Sequence, residues 1–351
     1  MMTTIKPTLL SKYENLLNKG TDDSESRKTL IIDGTNMFIR VFSAVPVLND
    51  NGDHVGGIIG FLNSLRFLLK THQPTRCIIT FDEKGGSSRR KKLYSGYKAG
   101  RATKVKTFNR FDEFKNVEDE ERSMRYQFSR IIQYLDNLPI YVLSISGIEA
   151  DDTIAYIAKT ECNNDDKVVI VSTDKDFMQL INEKLSVYNP TQKKLYDVDA
   201  IVERFGILPE NMLTYRTLDG DASDEIPGVK GVGIKTIIKE FPKIKNELFT
   251  IDSLLAEAKL HIKNNSKKKV FQSIIDSEDQ INLNFKLMQL DDVDIHGDAK
   301  LKISRVVNSK INRINRLTFR KMLVEDRIHF IIKDPDTWLS QGFQKIEFNA
   351  G

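Results

Sequence analysis

Cysteine is nearly absent. The 351-residue chain has two, Cys77 and Cys162, too few for a disulfide framework or a thiolate metal site. Cys77 lies in the apolar run CIITF, where a core role is expected, and the pair points to a reducing, cytoplasmic compartment. The five histidines (His54, His72, His261, His296 and His329) form no H-x-x-x-H pair, so a zinc site has little support. No apolar run approaches the roughly 20 residues that span a bilayer, and the first residues lack the basic-then-apolar pattern of a secretion signal. Net charge is small, +4, and by itself names no partner. What remains is a composition 40% hydrophobic and 29% charged, that of a soluble globular protein. Its length suits one large domain or two intimate ones.

The charge is unevenly spread. Residues 84–110, KGGSSRRKKLYSGYKAGRATKVKTFNR, hold ten Lys or Arg and no acid. Such a local field suits a polyanion; a solvated basic loop is the competing reading. An acidic run, FDEFKNVEDEE (111–121), follows without an evident reason. Residues 1–28 read as a short helical piece and a polar linker. Strands are expected at 29–33 (TLIID), 76–82, 139–145 and 167–174, with helices at 56–70, 122–137 and 149–161 and a short one after 174. Alternation of this kind marks a mostly parallel α/β sheet with helices on both faces. From about 197 onward the pattern is mostly helical.

That architecture has a consequence. Three strands end in aspartate: Asp33, Asp82 and Asp174. Carboxyl ends of parallel strands share one edge, where open α/β folds place ligands. GIEADD (147–152) brings Glu149, Asp151 and Asp152 to the same edge, and Asp176 follows Asp174 by two. Any one of these could cap a helix or complement its dipole. Five or six together repel unless cations neutralise them, and oxygen-only ligands suit Mg²⁺ or Mn²⁺. The helix period puts Glu149 and Asp152 on one face and Asp151 on another. Glu149 is therefore expected just before the first turn, swung toward Asp151.

A further acidic group lies in LDGDASDEIPGVKGVGIKT (218–236). Asp219, Asp221 and Asp224 do not fit a calcium loop, since Asp224 stands where Gly is needed. GVGIKT is neither a P-loop nor a dinucleotide fingerprint. A tight Gly hairpin between helices remains, whose N–H groups could meet a phosphate; a plain helix–helix turn is the alternative.

In order and spacing, LIIDGTN, ITFDEKGGSSRR, YKAGR, GIEADD, VSTDKDF and LDGDASDEIPGVKGVG resemble the structure-specific 5′ nucleases. That family includes flap endonucleases, the 5′-nuclease domain of bacterial DNA polymerase I, and phage 5′–3′ exonucleases of the RNase H primer-removal type. The resemblance covers residues 29 to about 290, and in size the chain is most similar to the stand-alone phage enzymes. It implies a PIN-like nuclease core over 29–205, with an arch at 84–121. A helical subdomain over 206–299 would carry a helix-hairpin-helix at 218–240, and 300–351 a helical extension and tail. It implies two or more Mg²⁺, or Mn²⁺, at Asp33, Asp82, Glu149, Asp151, Asp152, Asp174, Asp176, Asp221 and Asp224. Lys98 and Arg101 would reach the scissile phosphate, and Tyr97 could stack or pack. DNA contacts would come from Arg89, Arg90, Lys91, Lys92, Tyr97, Lys98, Arg101, Lys104 and Lys106. Gly228, Lys230, Gly231, Gly233, Lys235 and Thr236 would add hairpin contacts, with a K⁺ among them. The implied substrates are 5′ flaps, nicks, free 5′ ends and RNA–DNA hybrids, cut by a cytoplasmic monomer. A sliding clamp, docked by the tail QGFQKIEF, or a single-strand-binding protein would be a partner. The basic patch 304–316 would extend the DNA surface or form a solvated helix face.

Rival readings are weaker. A Toprim-type site leaves Asp33, Asp82 and the 221–224 acids without purpose. A D-x-D-x-T phosphatase needs an acid where Thr35 stands. A non-enzymatic junction-binding protein has no need of the acids that this chain retains.

Overall fold

The computed structural model describes residues 27–100, 114, 116–161 and 167–349. Its centre is a six-stranded sheet: β1 (Lys28–Asp33), β2 (Arg76–Phe81), β3 (Tyr141–Ser144), β4 (Lys167–Val171), β5 (Leu185–Asn189) and β6 (Lys194–Tyr196). The order is β3-β2-β1-β4-β5-β6. The first five strands pair in parallel, and β6 closes the edge antiparallel to β5. The mostly parallel sheet matches the sequence expectation. The last two strands do not appear in it, because LSVYN and KLY are short and flanked by polar turns.

Both faces of the sheet are covered, so the central strands bury apolar residues toward both sides. On β1, Leu30 and Ile32 face one core while Ile31 faces the other, the two-residue period of a strand. The first core is sealed by α1 (Gly34–Ala44), α2 (Gly56–His72), α4 (Val117–Leu135), α13 (Arg316–Glu325) and α14 (Pro335–Asn349). Short α3 (Ser88–Leu93) lies outside it. The second core gathers α5 (Ala150–Tyr156), α6 (Val198–Phe205), α7 (Met212–Asp219), α8 (Ile234–Glu240), α9 (Ile251–Lys263), α10 (Lys269–Asp276), α11 (Glu278–Met288) and α12 (Gly297–Val307). The helical second half thus shares a core with the sheet. No helix among the described residues is long and apolar enough to cross a membrane.

Local chemistry sets the element starts. Asp33 ends β1 and caps α1, its side chain accepting from the Asn36 N–H. The described part of the puzzling acidic run, from Asn116, starts a helix the same way, while 111–113 and 115 lie outside the described residues. Asn116 caps α4, and Glu118, Asp119 and Glu120 fill its first turn, where carboxylates complement the helix dipole. Helix α5 is shorter than the expected 149–161: after Tyr156 the chain widens into a π-type turn over Ile157–Glu161.

Candidate active site

The chain reverses its direction of strand addition between β1 and β4, which is the crevice position of an open α/β sheet. Asp33 stands at the end of β1, Asp82 just beyond β2, and Asp174 three residues beyond β4. They meet Asp151 of α5 and Lys98 around one cavity of about 750 Å³. The three strand-end acids are held by backbone or hydroxyl donors. Asp33 takes the Ser172 hydroxyl at 3.1 Å besides its capping bond. Asp82 Oδ1 accepts the Ala150 N–H at 2.8 Å, tying β2 to the start of α5. Asp174 Oδ1 accepts the Asp176 N–H at 2.7 Å. Thr35, Asn36 and Thr173, which the sequence reading did not single out, complete this frame. Thr35 receives the Asp82 N–H, and Asn36 donates to Thr173.

Crowding shows in the electrostatics. Burial, with Asp82 and Asp174 nearby, pushes Asp33 from the ordinary 3.8 up to about 7 despite its hydrogen bonds. Asp176 rises to about 7, through burial and then Asp174, although Arg216 opposes the rise. Asp151 rises well above the carboxylate range through burial and then Asp174 and Asp33. Carboxylate oxygens of Asp174, Asp176 and Asp221 lie within 4.8 Å of one another. Excess negative charge on oxygen-only donors is the arrangement a hard divalent cation neutralises. The residues therefore fit a metal site.

Two buried arginines bracket this cluster. Arg216, on α7, donates to Asp176 Oδ1 at 2.9 Å, to Asp221 Oδ2 at 2.6 Å and to the Gly220 carbonyl. Against burial, hydrogen bonds from Ser223 and the Arg216 charge hold Asp221 below its ordinary range. On the other wall Arg90 donates to both Asp152 oxygens at 2.8 Å, to Glu149 and to the Leu287 carbonyl. Lys98 Nζ donates to Glu149 Oε1 at 2.6 Å and stands 3.8 Å from Asp224. Burial works against its charge, but Glu149, Asp224 and Asp151 outweigh it, so the ammonium stays protonated above its ordinary range.

Acids gathered at a switch-point crevice beside a charged lysine suit metal-assisted chemistry on an anionic group. Two family models account for most of the chain: the 5'-3' exonuclease N-terminal resolvase-like domain over residues 28–206, and the 5'-3' exonuclease C-terminal SAM fold over 207–309. The chain belongs to the 5'-3' exonuclease family. It is 30% identical over 306 residues to a 5'-3' exonuclease of Aquifex aeolicus (strain VF5), covering 85% of this chain and 95% of that one. A 5'-3' exonuclease of Bacillus subtilis (strain 168) is 32% identical over 264 residues, 72% of this chain and 81% of that one. DNA polymerase I of the same strain matches 80% of this chain but only 29% of the polymerase. The bacteriophage T5 flap endonuclease, solved as a pseudo-enzyme-product complex with DNA and metal ions, superposes with a TM-score of 0.58. It is 25% identical, and the match covers 86% of this chain and 99% of that one. The protein is thus a nuclease, a hydrolase of the 5'-3' exonuclease class.

Within this 5'-3' exonuclease the structure redistributes some expected roles. Arg90 is 3% exposed and Tyr97 is 3% exposed. Neither offers DNA a face, because one is spent on Glu149 and Asp152 and the other packs with Ile226, Leu287 and Met288. Asp152 turns to Arg90 and Arg89 rather than to the cavity. Glu149 does sit just before the first turn of α5 in extended backbone, as the helix period requires. It then turns to Arg90, Lys98 and Tyr97 instead of swinging toward Asp151. Asp224 faces Lys98. Lys91 and Lys92 are exposed and Arg89 partly so; Arg101, Lys104 and Lys106 lie outside the described residues. Arg216 escaped the sequence reading, and its one signal is an arginine shortly before Asp219 and Asp221 in RTLDGD.

The Gly hairpin links α7 to α8. Gly220 (φ +72°) and Gly228 cross so closely that a Cβ on Gly228 would stand 2.3 Å from the Asp219 carbonyl oxygen. Val229 and Val232 anchor the loop in the core, leaving Gly228, Lys230, Gly231, Gly233 and Lys235 exposed and Thr236 half-buried. The two C-terminal expectations fare differently from the hairpin. Phe343 and Ile346 of the tail are buried in α14, and of its apolar residues Phe348 stays exposed. The patch at 304–316 runs to the amino edge of the sheet, where Val307 and Ser309 carbonyls bond Arg76 and Tyr141, away from the acidic cluster. There it does not extend the surface around the cavity.

Proposed function

We propose that this chain hydrolyses phosphodiesters near the 5′ end of DNA, as an exonuclease and flap endonuclease in replication or repair. The observation that carries this is the convergence of Asp33, Asp82, Asp151, Asp174 and Lys98 on one cavity. Asp33, Asp82 and Asp151 would hold one divalent cation, and Asp174, Asp176 and Asp221 a second, Mg²⁺ being the cation their oxygen-only chemistry favours. Such cations, when bound, supply Lewis-acid polarisation of the phosphoryl oxygen and a water of lowered pKa. The chain's own part is placement. Asp33 and Asp82 are fixed by backbone N–H groups, and Arg90 and Arg216 hold the outer acids against mutual repulsion. The Lys98 ammonium, kept charged by its carboxylate neighbours, meets the non-bridging oxygen as negative charge grows there. Addition of water to phosphorus breaks the P–O3′ bond and leaves a 5′-phosphate. The exposed backbone from Lys230 to Gly233 suits duplex phosphates, with a K⁺ beside them. The buried Cys77 thiol, pushed up by burial, is not set up for reaction.

Purified protein with Mg²⁺ is expected to cut a 5′-labelled flap or nicked duplex and to stop in EDTA. Asp174→Asn should lower the rate by on the order of a thousandfold or more. Cleavage in EDTA, or full activity in that variant, overturns the assignment. Flap, nicked, blunt and RNA–DNA substrates run side by side rank exonuclease, flap and primer-removal activity.

A further inference from the structure

Lys98 and Glu225 both occupy the left-handed region, with φ of 54° and 60°. For residues other than glycine this conformation is strained, and it persists only where surrounding contacts enforce it. Here the contacts are mutual. The Lys98 N–H donates to the Asp224 carbonyl at 3.0 Å. Two residues on, the Gly100 N–H donates to Glu225 Oε1 at 2.7 Å. The 221–226 turn beneath them is closed by reciprocal bonds between Asp221 and Ile226, each 2.8 Å. Ile226 packs with Tyr97, Leu287 and Met288. The segment from Tyr97 to Gly100 is therefore seated on this turn by two hydrogen bonds and one apolar contact. The same turn passes through Pro227 and Gly228 into the hairpin. Glu225 is not among the carboxylates grouped for a cation, and its described bond goes to backbone.

We propose that Glu225 is a positioning residue for Lys98. Its carboxylate latches the Gly100 N–H and, with the Asp224 carbonyl, fixes the left-handed turn that aims the Lys98 ammonium into the cavity. The segment that carries Lys98 and the turn that opens the DNA-facing hairpin then move as one piece. The inference rests on the reading of Lys98 as the group that meets the scissile phosphate.

Gly100 offers an approach from the other side. A Cβ there would lie 2.1 Å from Glu225 Oε1, so Gly100→Ala displaces the carboxylate without touching it chemically. The test is single-turnover cleavage of a 5′-labelled flap with Mg²⁺, with DNA affinity by anisotropy in EDTA and melting temperature beside it. Glu225→Ala and Gly100→Ala should each slow cleavage about ten- to a hundredfold, the scale of a misplaced catalytic group, with affinity and melting nearly unchanged. Glu225→Gln keeps an acceptor oxygen and should recover most of the rate. In a Lys98→Ala background, Glu225→Ala should cost no more than about twofold further, because both losses run through one group. Multiplicative losses, a defect confined to DNA affinity, or a full rate in Glu225→Ala overturns the latch. Failure of the unaltered protein to cut, or a full rate in Lys98→Ala, sinks the underlying reading instead and is seen in separate lanes of the same experiment.

Discussion

Asp33 shows how one side chain serves two opposed ends. Its Oδ1 caps α1, which stabilises the fold, while its burial among Asp82 and Asp174 destabilises the charged form. The pKa consequence has a definite sign. The folded state keeps a proton up to about pH 7 that the unfolded chain loses near 3.8. Metal-free stability contributed by this group is therefore full below about pH 4 and falls as pH rises toward 7. Asn caps a helix as well as Asp does, so Asp33→Asn should keep the cap and shed the charge. In EDTA at pH 8 it should melt higher than the unaltered protein, by about 1–3 kcal/mol of stability. At about pH 2.5, below both the unfolded and the folded values, Asp33 is protonated in both states and the difference should vanish. Thermal unfolding at the two pH values checks both statements. Mg²⁺ should also raise the melting temperature of the unaltered protein more at pH 8 than at pH 5, since binding requires deprotonated ligands.

Among the elements, the α7–hairpin–α8 unit is the most constrained. Gly228 has no room for a side chain, because the obstacle is the Asp219 backbone and not a movable group. Gly228→Ala is expected to lower stability by about 1–3 kcal/mol and to weaken binding to nicked duplex through a displaced hairpin. A variant with unchanged melting and unchanged affinity would refute that account. Helix α4 illustrates the opposite economy. Its acidic first turn looked anomalous beside a basic segment, yet it meets the ordinary needs of a helix start. Helix α14 takes an expected docking tail and spends Trp338, Leu339, Phe343 and Ile346 on the first core.

For the whole molecule, the net charge is small, +4, and what matters is how the charges are arranged. Acids line the carboxyl edge of the sheet, and exposed Lys230 and Lys235 stand on the hairpin side. Contacts to phosphates release counterions, so affinity should fall steeply with salt. Lys230→Ala with Lys235→Ala should reduce the slope of log affinity against log salt by about two, equally for flap and nicked duplex. A loss that differs between substrates would mean that the hairpin reads more than backbone.

Four of the six strands, the parallel sheet and the cluster at its carboxyl edge were legible in the sequence because they follow from local rules. Apolar runs of five residues make buried strands, and parallel strands put their terminal aspartates on one edge. The place of Glu149 just before the first turn of α5 followed likewise from the helix period. What each acid faces did not follow, since partners such as Arg90 and Glu149, 59 residues apart, meet only in the folded chain. Tertiary packing decided that Arg90 is an internal counter-charge, that Asp152 turns away from the cavity, and that Arg216 bridges Asp176 and Asp221. It also placed Glu225 against Gly100, a contact across 125 positions that no spacing or composition encodes. Backbone preference is local and periodic, whereas the pairing of buried charges depends on which surfaces the fold presses together.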